Sequence, residues 1–201
     1  ETIARLACGV KRFKLPDEFN FIKLFQEMTE AKGNHAVRAL TMLAQIMEDR
    51  RQYPRAADYW RKVVERAKNH AGYKQRLDQI IGDWGQFENT MSQAAGRGAT
   101  VDYRFRNGKH VDFEAVEVDV PALLADIREY LQTNPPQLEW EKVDIQNIGH
   151  RLVQKNQTRY LKESVATWGL ELEPRPKHFD RRITVTTPLQ QAGAFLLTAK
   201  M

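Results

Sequence analysis

The chain of 201 residues is 42% hydrophobic and 28% charged, with a formal net charge of +5. That composition excludes a disordered chain and allows one large domain or two small ones. Basic residues are interleaved with acids, as in Glu48-Asp49-Arg50-Arg51 and Arg61-Lys62-Val63-Val64-Glu65-Arg66, which argues against the one-sided stripe of a nucleic-acid binder. No stretch approaches the roughly 20 apolar residues that span a bilayer. The single cysteine, Cys8, rules out an internal disulfide, a usage that suits the cytosol and also many bacterial envelope proteins. The sequence opens on Glu1 and ends on Met201 inside an apolar strand pattern. We therefore expect a piece of a longer protein, with any targeting signal outside it.

The first part reads as successive helices. Ile22, Phe25 and Met28 lie at helical spacing just after Asp17-Glu18, acids that suit a helix start. Leu40, Leu43, Ala44 and Met47 follow at i, i+3, i+4, i+7, and Asp49-Arg50-Arg51-Gln52 is a polar break. Ala56, Tyr59, Trp60, Val63 and Ala67 form a third stripe; Tyr73, Leu77, Ile80, Ile81 and Trp84 form a fourth. Gly82 and Gly85 are expected to end the run. Over about residues 36–69 the second and third stripes resemble one tetratricopeptide repeat. Ala44 stands where that repeat usually has Gly, Tyr53 takes the turn position, and Ala56, Trp60 and Val63 make a small-large-small ridge. Val63 is bulkier than usual and the closing Pro is missing near Lys68-Asn69. An unrelated helical hairpin would show the same stripes. In either case flanking helices at 18–30 and 71–84 must stack on it, because one repeat cannot bury its own face.

Residues 92–99, with Gly96 and Gly98, read as a linker. Beyond it the period changes to two. Val101, Tyr103 and Phe105 alternate with Asp102, Arg104 and Arg106, and Asn107-Gly108 signals a hairpin. A three-residue loop would set Phe105 opposite Val111, Tyr103 opposite Phe113 and Val101 opposite Ala115, keeping one apolar face. The phase slips after Ala115, which predicts a bulge there. Asp119-Val120-Pro121 opens a helix over about 120–132, with a stripe of Val120, Leu123, Leu124, Ile127, Tyr130 and Leu131, stopped by Asn134-Pro135-Pro136. Trp140, Ile145, Ile148, Leu152 and Val153 show no readable period. Ala166, Trp168, Leu170 and Leu172 alternate, as do Ile183, Val185 and Thr187, and Leu196-Leu197 lies in a last strand entered through Gly193. Glu173-Pro174-Arg175-Pro176 is a stiff, exposed connection. The expected fold is therefore α+β in two modules: TPR-like helical hairpins over 1–91, then, after the linker, an antiparallel sandwich with one amphipathic helix over 100–201.

The chemistry-bearing residues do not gather into a recognisable motif. His35, His70, His110, His150 and His178 are too dispersed for a helical or hairpin metal site. His178-Phe179-Asp180 is the best local candidate and reads as a solvated loop. Cys8, between Leu6, Ala7 and Val10, suits a small buried hydrophobe better than a nucleophile. Gly96-Arg97-Gly98 is too short to cradle a phosphate. Glu114, Glu117 and Asp119 read as outward partners of Arg104 and Arg106. Arg181-Arg182 reads as a local ion pair with Asp180, and Trp60, Trp84, Trp140 and Trp168 as core or inter-module packing. No catalytic, cofactor-binding or metal-binding residue is assigned, and no enzyme activity, cofactor, nucleic-acid binding or membrane insertion is expected of this segment. Arg50, Arg51, Gln52 and Asn69 are exposed polar positions suited to contact with a partner.

The segment Tyr103-Arg104-Phe105-Arg106-Asn107-Gly108-Lys109, with Val111-Asp112-Phe113-Glu114-Ala115, is similar to an early strand pair of large bacterial alpha-macroglobulins. Trp168 to Leu172, then Ile183-Thr184-Val185-Thr186-Thr187-Pro188-Leu189 and Ala192 to Ala199, resembles their strand, proline-containing connection and final strand. The motifs cover about residues 98–201. The resemblance implies a macroglobulin-like β-sandwich in a periplasmic or extracellular protease inhibitor, whose partners would be other domains of the same longer chain and target proteases. In many members of that family a Cys–Gln thioester captures the protease. Here Cys8 precedes Gly9 and Val10 without a Glu-Gln partner, and no bait segment is recognisable, so the resemblance implies a structural segment of an inhibitor. The rival is a freestanding helical-repeat adaptor that binds a partner protein inside the cell.

Overall fold

The structure, a computed structural model, describes residues 2–6, 9–13, 16–31, 33–68, 70–145 and 148–201. It is mixed α+β and falls into two compact units, Glu1–Trp84 with Pro174–Asp180 and Gly85–Glu173 with Arg181–Met201. Among the described residues no helix is long and apolar enough to cross a membrane.

The first unit opens with an antiparallel pair that the sequence did not announce, β1 (Thr2–Leu6) and β2 (Gly9–Phe13). Four helices follow: α1 (Phe21–Met28), α2 (Asn34–Asp49), α3 (Tyr53–Arg66) and α4 (Ala71–Ile81). In α2 the residues at helical spacing, Ala36, Ala39, Leu40, Leu43, Ala44 and Met47, are all buried, as amphipathic periodicity requires. Helix α3 starts with Pro54 in its first turn, where a missing N–H costs nothing. It buries Ala56, Ala57, Trp60 and Val63 into one core with Leu40, Ala44, Leu77 and Ile80. The fully buried alanines 44, 56 and 57 let the α2 and α3 backbones approach closely. Between those helices Arg51 adopts φ 54°, and the Gln52 N–H donates to the Met47 carbonyl at 2.8 Å.

Two expectations fail at the end of the helical run. Helix α4 stops at Ile81 with Gly82 as its C-cap, as expected, but Trp84 and Gly85 belong to a strand, β3 (Trp84–Phe87). Gly85 is needed for close approach and not for helix termination, because a Cβ there would overlap the Tyr103 hydroxyl. The change from helix to strand thus precedes residues 92–99, which carry neither. The Gln93 amide ties that stretch to the next strand by accepting from the Thr100 N–H at 2.8 Å and donating to the Thr100 carbonyl at 2.6 Å.

The second unit holds β4 (Thr100–Arg106), β5 (His110–Val118), β6 (Leu161–Glu171), β7 (Arg181–Thr186) and β8 (Ala194–Lys200). Two three-stranded sheets form, ordered β3-β4-β7 and β6-β5-β8. The expected β4–β5 ladder is therefore wrong. Tyr103 lies opposite Ile183 on β7, and Phe113 lies opposite Trp168 on β6 and Ala199 on β8. Asn107, at φ 62°, turns the chain from one sheet to the other. Tyr103 and Phe113 still meet, edge to face across the core with ring centroids 5.3 Å apart. Alternation specifies which face of a strand is buried but not which strand lies beside it, and facing sheets satisfy both apolar faces as well as a hairpin would. The slip expected near Ala115 is present as register shifts between Ala115, Val116 and Val118 along β6. It returns Val118 to the interior.

Helix α5 (Val120–Gln132) runs as expected, with Asp119 Oδ1 accepting the Ala122 N–H at 3.0 Å as N-cap. Leu123 and Ile127 join Val118, Leu152 and Tyr160 in a separate cluster. The stretch without readable period forms two short helices, α6 (Trp140–Val143) and α7 (Ile148–Val153). Trp140 is 71% exposed, so its expected core role is wrong. Trp60 is buried, and Trp168 packs at the edge of the sheet core.

Candidate functional site

A groove of about 430 Å³ runs along the helical unit, lined by α1, the C-terminal end of α2 and α3. Ile22 and Met47 supply apolar surface, and Arg50, Arg55 and Lys62 supply positive charge. The lining acid, Asp58, is paired with Arg61 at 2.7 Å. Gln26 Nε2 donates to the Tyr59 hydroxyl at 3.2 Å, Arg55 Nη1 donates to Gln52 Oε1 at 3.1 Å, and Lys62 lies 5.8 Å from the Tyr59 ring centroid. Such a surface can hold an extended peptide by its backbone and attract acidic side chains.

Of the polar positions named from sequence, Arg50 and Gln52 line this groove. Arg51 occupies the left-handed turn beside it, and Asn69 lies outside the described residues. Arg55, Tyr59 and Lys62 were missed as lining residues. Their i, i+4, i+7 spacing puts them on one face of α3, but Tyr59 was counted into the buried stripe.

The other sequence candidates do not converge. Cys8 lies outside the described residues. His70 stacks on Tyr73 at 4.0 Å. Phe179 packs edge-on against Tyr53 at 5.2 Å, with Arg175 5.5 Å from the Phe179 ring, so His178-Phe179-Asp180 is held by its own aromatic side chain and is half-buried, not the solvated loop expected. Among the described residues no group of three His, Cys, Asp or Glu is arranged to hold a metal ion. Gly96 and Gly98 have φ 84° and 71°, and the Gly96 N–H donates to the Gln190 carbonyl at 2.8 Å.

The expected charge pairings need correction. Glu117 pairs with Lys162 at 2.8 Å, Asp119 caps α5, and Arg104, in the other sheet, lies 3.7 Å from Glu88. Arg181 pairs with Glu173 at 3.1 Å, and Arg182 pairs with Asp102 and Glu88. Thr184 donating at 2.7 Å, reinforced by Arg182, holds the Asp102 carboxyl below the usual carboxylate range.

One arrangement was not foreseen. The His110 ring reaches Asp112 Oδ1 at 3.0 Å and Glu171 Oε1 at 2.7 Å. The period of two on β5 puts His110 and Asp112 on one face, and the register brings Glu171 opposite. Hydrogen bonds to Asp112 and then to Glu171 raise the imidazole above its ordinary value. Because the folded-state value is raised, this stabilisation is complete below about pH 6.5 and is lost as pH rises through the folded value. In an NMR titration the His110 ring should have a midpoint above about 6.5, falling toward it in Asp112→Asn. A midpoint at or below that value in the unaltered protein would contradict the arrangement.

The chain matches no protein-family model, no curated protein and no solved structure.

Proposed function

We propose that this chain is a non-catalytic structural segment of a bacterial alpha-macroglobulin-like protease inhibitor, periplasmic or extracellular. Its TPR-like helical unit and macroglobulin-like β-sandwich would act as scaffold and contact surface for other domains of the same protein. The observation that carries this reading is the aromatic core shared by the two sheets. Tyr103 and Phe105 of β4 and Val111 and Phe113 of β5, strands joined by the short Asn107-Gly108 connection, lie in opposite layers of one cluster. A core shared in this way by two layers suits a spacer that holds neighbouring domains apart.

The rival, a TPR-type adaptor that stands alone, draws on the basic groove of Arg50, Arg55 and Lys62. One experiment separates the two. The full reading frame should extend into further β-domains, and the full-length product should slow endopeptidase cleavage of a large protein substrate while sparing a short peptide. The 201-residue chain alone should leave both cleavages unchanged. A reading frame ending near Met201, or full-length protein without effect on any endopeptidase class, would favour the adaptor.

A further inference from the structure

In the second unit α5, α6, α7 and the turn before β6 surround a cavity of about 520 Å³. Arg151 of α7 lines it while remaining only 7% exposed. Its Nε donates to Gln157 Oε1 at 3.1 Å, and its Nη1 donates to the Lys142 carbonyl at 3.3 Å. The guanidinium carbon lies 5.9 Å from the Tyr160 ring centroid. All three partners are neutral. Among the described residues no carboxylate pairs with Arg151, and its Nη2 has no hydrogen-bond partner.

The surrounding cations differ. Arg159 is paired with Asp126 at 2.7 Å, and Lys142 with Glu139 at 2.8 Å. A buried charge is ordinarily matched by an opposite one, and the planar guanidinium fork fits a carboxylate. A second donor is at hand. The Tyr130 hydroxyl accepts the Glu139 N–H at 2.8 Å, which leaves its own proton free to donate. The Tyr160 hydroxyl is not available, because it donates to Asp126 at 2.6 Å and accepts from Arg159.

We propose that Arg151 anchors a binding site for a carboxylate, with the Tyr130 hydroxyl as second donor. Acids around the rim, Asp126, Glu129, Glu139 and Glu141, favour one negative charge over the two of a phosphate dianion. The carboxylate can come from a free small acid or from an acidic side chain of a peptide. This inference stands independently of the inhibitor reading.

The test is ¹⁵N NMR of the arginine side chains in the whole chain, with the Arg151 Nε signal assigned by its loss in Arg151→Lys. Sodium acetate, sodium phosphate, sodium chloride and a C-terminally amidated Gly-Glu-Gly peptide are titrated at equal ionic strength. Acetate or the peptide should shift the Arg151 signal saturably, and phosphate and chloride should not. Tighter binding of the peptide identifies a side-chain source, and tighter binding of acetate a free acid. Glu129 is exposed and unpaired among the described residues, so Glu129→Gln should keep the fold and tighten carboxylate binding roughly two- to fivefold. No saturable shift with either carboxylate, an equal response to chloride, tighter binding of phosphate, or unchanged affinity in Glu129→Gln would overturn the proposal.

Discussion

Phe113→Ala is expected to destabilise the β-sheet unit by about 3–5 kcal/mol, read as a lower urea midpoint at an unchanged slope. Phe113 is 2% exposed and lies where strands of both sheets meet. Trp168 stacks on it with ring centroids 5.3 Å apart, Tyr103 meets it edge-on at 5.3 Å, and Phe87 lies 6.0 Å away. Removing the ring takes away apolar burial and three aromatic contacts at once. The neighbours sit on hydrogen-bonded strands and cannot move in to fill the void, so the loss should fall in the upper part of the usual range for large-to-small changes. Phe113→Leu keeps most of the volume and should cost about 1–1.5 kcal/mol. Both variants should alter the tryptophan emission, because Trp168 loses its stacking partner. A loss below about 1 kcal/mol for Phe113→Ala would mean that the two sheets do not share this core.

How far the sequence specifies this fold depends on whether a feature is local. The α2 and α3 stripes and the Asp119-Val120-Pro121 helix start were readable, because a helix face and its cap lie within a few residues of one another. The bulge at Ala115 was readable as a break in the period of two. The partner of β4 was not. Its ladder is made with β7, so that Asp102 faces Thr184, 82 residues away. The same alternating pattern on β4 and β5 accommodates a hairpin or two facing layers.

Residues 140–153 were illegible for a different reason. Helices of four and six residues complete too few turns to display a period, and they hold their shape through tertiary contacts. The charge pairs failed likewise. Lys162 reaches Glu117 and Arg182 reaches Asp102 across strand neighbours that no local rule supplies. Of the groove, Arg50 and Gln52 were visible as a polar break between helices, whereas Arg55, Tyr59 and Lys62 became lining residues only once α1 was packed beside α3. The isolation of Arg151 depends on which acids its neighbours have already engaged, and sequence spacing does not report that.

The second large effect is expected at Trp60, where the helical unit combines packing with a buried hydrogen bond. Trp60 is 3% exposed, and its Nε1 donates to Glu48 Oε1. Glu48 also binds Arg76, whose Nε lies 3.2 Å from Oε1, so α2, α3 and α4 are joined through one carboxylate. Trp60→Ala should cost about 3–5 kcal/mol, since the surrounding Ala44, Ala56 and Ala57 are too short to refill the space. Trp60→Phe retains most of the apolar contact but removes the donor. The carboxylate, with its side chain only 11% exposed, then keeps Arg76 as its partner, and the expected loss is about 1–3 kcal/mol. Glu48→Gln keeps Oε1 as acceptor for Trp60 and for Arg76 Nε but sets an amide NH2 against Arg76 Nη2, so the charge pair and its second hydrogen bond are lost. Arg76 is half exposed, so solvent screening limits that loss to about 0–1 kcal/mol. The order Trp60→Ala, Trp60→Phe, Glu48→Gln in urea midpoints separates volume, donor and charge. If Trp60→Phe proved as costly as Trp60→Ala, the hydrogen bond rather than the packing would hold the three helices together; if it proved neutral, the Trp60–Glu48 bond would contribute nothing.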